Sequence, residues 1–361
     1  MNKPKLAALA AGALGLAAAA AAAVYRVTHP GDAEGPPSPD PGRRRPPVGD
    51  ELFDLPRAGM RGHELATPDG GNLHVIEAGA GRPLVLLHGV TLRSDVWAPQ
   101  FHQLADRFRV IAVDLRGHGA STAGSDGYGM GPLSADVATV LDGLDLHDAI
   151  VVGHSMGGMA VMGFCGAHPD VLRRRVAGLV FLATAAHRVV PPYLVRAMRG
   201  LLDQGQRRVD AGRALPKRAT VTTRLARLGF GDRPSAKAVA IVAEMGQSMA
   251  PEALVPSLSK LLDHDATEAL QATDTPSLVV VGTRDLLTPV TAGRHLARQL
   301  PDATFVVLPR AGHHLMQERP AELAQLLDAF SARLAGTGPA VGDAVDDDPR
   351  PVGSSQVEAL P

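Results

Sequence analysis

Cysteine is almost missing from this chain. Cys165 is the single one in 361 residues, which excludes an intrachain disulfide and any multi-cysteine metal site. It stands in the apolar helical run MAVMGFCGAH and reads as a small buried hydrophobe rather than a reactive thiol. Aromatic residues are only 3% of the sequence, so the core must be built mainly from Leu, Val and Ala. Blocks of like charge are also lacking: 36 Lys and Arg are interspersed with 37 Asp and Glu, for a formal net charge of −1. The one short basic run, Arg43 to Arg45, lies in a Pro-rich stretch, so the electrostatic footprint of a nucleic-acid binder is absent. No Gly-rich loop has the form of a phosphate or dinucleotide cradle, and no His/Asp/Glu cluster has metal-ligand spacing. The expectation is a small-molecule substrate with neither cofactor nor metal.

What is present divides the chain into unlike parts. Lys3 and Lys5 precede an uncharged, alanine-rich run from Leu6 to Tyr25, followed by Arg26. At the helical rise, about 20 residues reach roughly 30 Å, the hydrocarbon thickness of a bilayer. Residues 1–26 therefore read as an uncleaved membrane anchor, with a cleaved secretory signal as the alternative because A-x-A sites such as Ala21 to Ala23 abound. Membrane association through residues 6–25 follows from the first reading and secretion from the second. Residues 27–56 are rich in Pro and Gly and read as a solvated linker; residues 336–361 lack apolar periodicity and read as a disordered tail. The folded domain is expected over residues 57–335.

Inside it, short β-branched runs alternate with helical stretches. Strands are expected at Leu73–Ala78, Leu84–His88, Val110–Asp114, Ile150–Gly153, Gly178–Ala183, Leu278–Gly282 and Phe305–Leu308, with a hairpin turn at Pro68-Asp69-Gly70-Gly71 before the first. The later runs are continuously apolar, as strands buried on both faces of a mostly parallel sheet must be. The fold class is thus α/β, a central sheet flanked by helices. Between Ala183 and Leu278 no strand is evident. A helical insertion of that length exceeds a simple crossover, so residues 187–268 read as a cap over the carboxyl edge of the sheet.

The strongest chemical signal is Gly153-His154-Ser155-Met156-Gly157, a G-x-S-x-G placed after a buried strand and before a helical run. A strand that turns at once into a helix holds the serine in a strained backbone geometry, and the flanking glycines let neighbouring chains approach. The hydroxyl then sits at a helix N-terminus, where free N–H groups favour developing negative charge. A serine hydroxyl still needs a base, and the base needs an orienting acid. The order Ser…Asp…His is met by Asp285, in SLVVVGTRDLLTP, and by His313, in RAGHHLMQERP. Each follows the carboxyl end of a buried strand, as Ser155 does, and ligands collect at that edge of open α/β sheets.

Five ordered segments, PLVLLHGV, VIAVDLRGHGAST, VVGHSMGG, VVVGTRDLLTP and LPRAGHHLMQERP, resemble the α/β-hydrolase family over about residues 62–334. The resemblance implies an α/β-hydrolase fold with the cap inserted before the strand that carries the acid. It implies Ser155 as nucleophile, Asp285 as acid and His313 as base, His313 being preferred to its neighbour His314 because it directly follows Gly312. Asp114 also ends a strand but reads as a loop residue in DLRGHG, and LATAAHRVV supplies no earlier carboxylate. The oxyanion donors implied are the backbone N–H groups of Val90 and Met156. His88 is expected to hold the oxyanion loop, His118 to be structural and His154 to pack against the sheet, while Trp97 either lines the pocket or packs. The implied activity is hydrolysis of a small-molecule carboxylic ester through an acyl-enzyme. Carbon–carbon-bond hydrolysis, cofactor-free haloperoxidase chemistry on the same triad, and a non-catalytic ligand-binding role are the alternatives. Epoxide hydrolases and haloalkane dehalogenases are similar in DLRGHGAS but use an aspartate where this chain has Ser155.

Overall fold

The computed structural model describes residues 48–337 apart from 57, 188–191, 214–218 and 272. The apolar segment 6–25 and most of the expected tail lie outside the described residues. Among those described, no helix is long and apolar enough to cross a membrane.

Eight strands form one sheet: β1 (Arg61–Ala66), β2 (Asn72–Ala78), β3 (Arg82–Leu87), β4 (Phe108–Val113), β5 (Ala149–His154), β6 (Val176–Leu182), β7 (Ser277–Gly282) and β8 (Ala303–Leu308). Their order is β1-β2-β4-β3-β5-β6-β7-β8. β2 runs antiparallel to both neighbours, and every other pairing is parallel. All seven expected strands are present with ends moved by a residue or two. β1 was not expected as a strand. Its sequence, RGHELA, is polar and mostly exposed at the sheet edge, so no apolar run marks it.

Side chains along the central strands alternate between two clusters, as the period of two requires. Leu84, Leu86, Val110, Ala112, Ile150, Val152, Val180 and Leu182 face α1 (Ala98–Leu104) and α12 (Pro320–Leu334), meeting Phe101, Leu104, Leu327 and Phe330. Val85, Leu87, Ile111, Val113, Val151 and Phe181 face the other way, towards Val137 and Leu141 of α2 (Met130–Gly143) and Val161 and Phe164 of α3 (Met156–Ala167). Burying each Val, Leu, Ile or Phe side chain among these contributes about 1.5–3 kcal/mol. Scarcity of aromatics is thus met by Val, Leu and Ile packed on both faces of one sheet.

The body also takes in residues before 57. Phe53, in a short 3₁₀ turn, is buried in the first cluster, and the His102 ring donates to the Asp54 carbonyl at 2.8 Å. The Pro/Gly-rich stretch is therefore already packed near its end. Short α4 (Pro169–Arg175) leads into β6.

Between β6 and β7 lie α5 (Pro192–Asp210), α6 (Ala219–Leu228), α7 (Ala236–Ser248) and α8 (Pro251–Leu261). α5 and α8 share a small core of Val195, Met198, Leu202, Val255, Leu258 and Leu262. A bridge between His187 and Asp265, with Ala266 N–H donating to Ala186 O at 2.8 Å, closes the stem of this insertion. α9 (Thr267–Gln271) then rejoins the body, with Ala266 and Leu270 in the second cluster, so the cap ends slightly before the expected residue 268. α10 (Val290–Gln299) and the short α11 (Leu315–Glu318) complete the described helices.

One buried ion network ties the loop after β4 to this frame. Arg116, 2% exposed, forks onto both oxygens of Asp136 in α2 at 2.6 and 2.7 Å and reaches Asp69 of the hairpin turn at 2.9 Å. Removing the guanidinium would leave Asp136 buried without its cation. Arg116→Met is expected to lower unfolding free energy by about 3–5 kcal/mol in a denaturant titration. A loss under about 1 kcal/mol would show that the network is dispensable.

Candidate active site

Ser155 caps α3 with φ 51° and ψ −116°, a conformation that costs a non-glycine residue about 1–3 kcal/mol. The surroundings hold it there. Ser155 N–H donates to Leu182 O at 3.1 Å, and the Thr184 hydroxyl donates to Ser155 O at 2.7 Å. The glycines are required by close approach: a Cβ on Gly153 would fall 2.5 Å from Gly158 Cα, and one on Gly157 would fall 2.3 Å from Leu87 O. The elbow thus presents a serine side chain at the N-terminus of α3. Met156 is the first helical residue, so its N–H has no acceptor within the helix. The chain at Gly89 passes so near that a Cβ there would lie 3.0 Å from Ser155 Cβ, which brings the Val90 segment against the same serine.

Asp285 follows β7 and is fully buried. One carboxylate oxygen accepts from the Leu287 and Thr288 N–H groups at 2.8 and 2.9 Å; the other accepts from the Thr288 hydroxyl at 2.6 Å and from His313 Nδ1 at 2.9 Å. Burial pushes the carboxyl upward, but the His313 charge interaction and hydrogen bonds from His313 and Thr288 outweigh it, and the group is held below its usual range. With Nδ1 donating to Asp285, Nε2 of His313 is the nitrogen left to accept a proton. No hydrogen bond joins Ser155 Oγ to His313 among the described residues. Such contacts often tighten only when substrate is bound.

The remaining histidines have other roles. His314 packs against Phe230, ring centroids 4.6 Å apart, and its Nδ1 has no partner. His154 packs on His313 at 4.7 Å and donates through Nε2 to the His313 carbonyl at 2.9 Å. His88 donates from Nδ1 to Gly89 O at 2.7 Å and accepts the Leu115 N–H at 3.0 Å, pinning the loop beside Ser155. His118 is buried against His88. Asp114 is occupied by the Ser94 and Ala120 N–H groups at 2.6 and 2.8 Å, so it shapes its own loop. Trp97 is fully buried in the core and packs. Burial pushes the Cys165 thiol up to about 12. Among the described residues, no group of three His, Cys, Asp or Glu could hold a metal ion.

Two residues escaped the sequence reading. Thr288 bonds Asp285 and lies 3.3 Å from His313 Nδ1; its only sequence signal is its place in the D-x-x-T turn after a strand. Glu318 lies on α11, away from any strand end, and accepts the Gly312 N–H just before His313. Nothing in the sequence marks it.

These buried histidines make stability depend on pH. Burial drives His118 and His314 down to about 3 and His264 to about 4, and holds His88 and His154 below the usual imidazole range. Below pH 6.5 the unfolded chain takes up protons that the folded chain refuses, so stability is present above 6.5 and lost as pH falls. Glu318, raised by burial to about 7, acts oppositely between 7 and 4.5, and Asp95 and Asp136, also raised by burial, act in the same sense as Glu318, but the five histidines of the unfolded chain take up more protons between pH 7 and 5. The melting temperature is expected to drop on the order of 10 °C from pH 7 to pH 5. A flat profile over that interval would contradict the buried, neutral assignment.

A serine at a strained strand–helix turn, with a buried Asp–His pair at the same carboxyl edge of a mostly parallel sheet, defines the α/β-hydrolase class. Residues 82–320 match the family model described as alpha/beta hydrolase fold, and the chain belongs to that family. It is 35% identical over 249 residues to a pimeloyl-[acyl-carrier protein] methyl ester esterase of Chromobacterium violaceum, covering 67% of this chain and 91% of that one. It is 31% identical over 257 residues to a non-heme chloroperoxidase of Kitasatospora aureofaciens, covering 68% and 90%. A solved thermophilic esterase from Thermogutta terrifontis superposes with a TM-score of 0.66 at 26% identity, covering 76% of this chain and 99% of that one. The protein is an enzyme of the α/β-hydrolase family.

Proposed function

We propose that this enzyme hydrolyses a small-molecule carboxylic ester through a Ser155 acyl-enzyme, with His313 as base and Asp285 as its orienting acid. The observation that carries the reading is the buried His313–Asp285 hydrogen bond at the sheet edge where the Ser155 elbow emerges. His313 Nε2 takes the Ser155 proton as Oγ attacks the ester carbonyl carbon. The carbonyl oxygen becomes an oxyanion that accepts from the Met156 and Val90 N–H groups, each such donor lowering the barrier by about 2.7–4 kcal/mol. Collapse expels the alcohol with a proton from His313. Water, deprotonated by the same imidazole, then releases the acid and frees Ser155. The cap covers this edge and would set the size of the acyl or alcohol group.

The names of the esterase relatives support an ester as substrate. Incubation with a fluorophosphonate and p-nitrophenyl esters of varied chain length tests the proposal, with covalent label expected on the Ser155 peptide. Turnover without label at Ser155 would sink it. The haloperoxidase relatives favour a second reading, in which hydrogen peroxide replaces water at the acyl-enzyme; a peracid assay separates the two.

A further inference from the structure

Resting on the assignment of His313 as base, we infer that Glu318 is a positioning residue that clamps the His313 loop to Gly229–Gly231, the cap segment between α6 and α7. The segment leaving α6 lies directly on the loop that carries the base. A Cβ on Gly231 would fall 2.2 Å from Arg310 O, and one on Gly312 would fall 2.4 Å from Gly231 N. Backbone bonds cross between the two, from His313 N–H to Gly229 O at 2.7 Å and from Asp232 N–H to Arg310 O at 3.0 Å.

Two N–H groups in this junction point inward, and one buried carboxylate takes both. Glu318 Oε2 accepts from Gly231 at 2.8 Å and from Gly312 at 3.1 Å, while Oε1 lies 3.0 Å from Gly312 N. Glu318 is 7% exposed, and burial raises its carboxyl to about 7. The Gly231 and Gly312 bonds favour the charged form and offset part of that desolvation. The backbone on either side of the base is therefore fixed by side chains of the body, at the Gly312 N–H by Glu318 of α11 and at the His313 carbonyl by His154 of the nucleophile turn. Through this junction the cap and the base share one support.

The two oxygens make the role separable by substitution. Glutamine keeps the reach: its carbonyl oxygen at the Oε2 position keeps the Gly231 bond and can still be reached by Gly312, while its NH₂ replaces the Oε1 acceptor that lies 3.0 Å from the Gly312 nitrogen. Aspartate keeps the charge but withdraws the oxygens by about 1.5 Å. Misplacing a catalytic group by about 1 Å costs on the order of 100-fold in rate. Full-length E318D is therefore expected to lose about 100-fold in kcat per active site, with active sites counted by the p-nitrophenol burst. E318Q, which keeps one shared acceptor in place, is expected to lose no more than about tenfold and to stay well above E318D. Melting curves recorded beside the kinetics separate a purely structural role, which lowers the melting temperature of E318D but leaves kcat per titrated site unchanged. That result overturns the inference, and so does an E318Q as slow as E318D, which would make the charge, not the reach, the active feature. A parent enzyme that takes no fluorophosphonate label at Ser155 would instead remove the triad assignment on which this rests, and is seen before any Glu318 variant is compared.

Discussion

Replacing Ser155 with alanine is expected to lower kcat by about 10⁶, to the level left by binding and oxyanion donors alone. The size follows from what the elbow supplies. Strained φ and ψ at position 155 hold Oγ at the end of α3, and the same turn orients the Met156 N–H. Alanine keeps the backbone, since the hydroxyl makes none of the bonds that fix the turn; those run through Ser155 N and O to Leu182 and Thr184. The variant should therefore melt within a degree or two of the parent, and substrate affinity should change little. Ester turnover with burst-titrated enzyme measures the loss. A fall of less than about tenfold, with fluorophosphonate label retained elsewhere, would mean that another group performs the attack.

Asp285→Asn should be the next most damaging change, lowering kcat by about 10⁴. In the parent both oxygens of Asp285 act as acceptors, one for two backbone N–H groups and the Thr288-facing one for a hydroxyl and His313. The two N–H donors on one oxygen force the asparagine carbonyl to that side. Its NH₂ must then face His313 Nδ1, which can accept that hydrogen only in the tautomer with Nε2 protonated. An Nε2–H cannot take the Ser155 proton, so the geometry survives while the chemistry stops. The kcat of this variant per burst-titrated site, read against its melting temperature, checks the argument. Parent-like kcat in a folded Asp285→Asn protein would remove Asp285 from the mechanism.

The legible part of this protein is the part written locally. Runs such as VIAV and LVVVG announce buried strands because both faces of the sheet are covered, and the GHSMG turn announces itself because only glycine fits against Gly158 and the Leu87 carbonyl. Asp285 and His313 were visible because each follows such a run. β1 was not, since an exposed edge strand needs no apolar pattern. Thr288 was passed over because a turn threonine serves many purposes, and its use depends on a histidine 25 residues away.

Sequence alone thus determined the class of fold, the cap's place in the chain and the elbow serine, all of which follow from hydrophobic periodicity and glycine sterics within short windows. Tertiary structure decided which of the adjacent imidazoles at 313 and 314 faces Asp285, that Asp114 is consumed by its own loop, that Trp97 is core, and that Glu318 holds the Gly312 N–H beside His313. The physical reason is that hydrogen bonds and burial depend on the direction of each side chain after the strands have stacked. Two neighbouring histidines with the same chemistry differ only in what the fold puts opposite them.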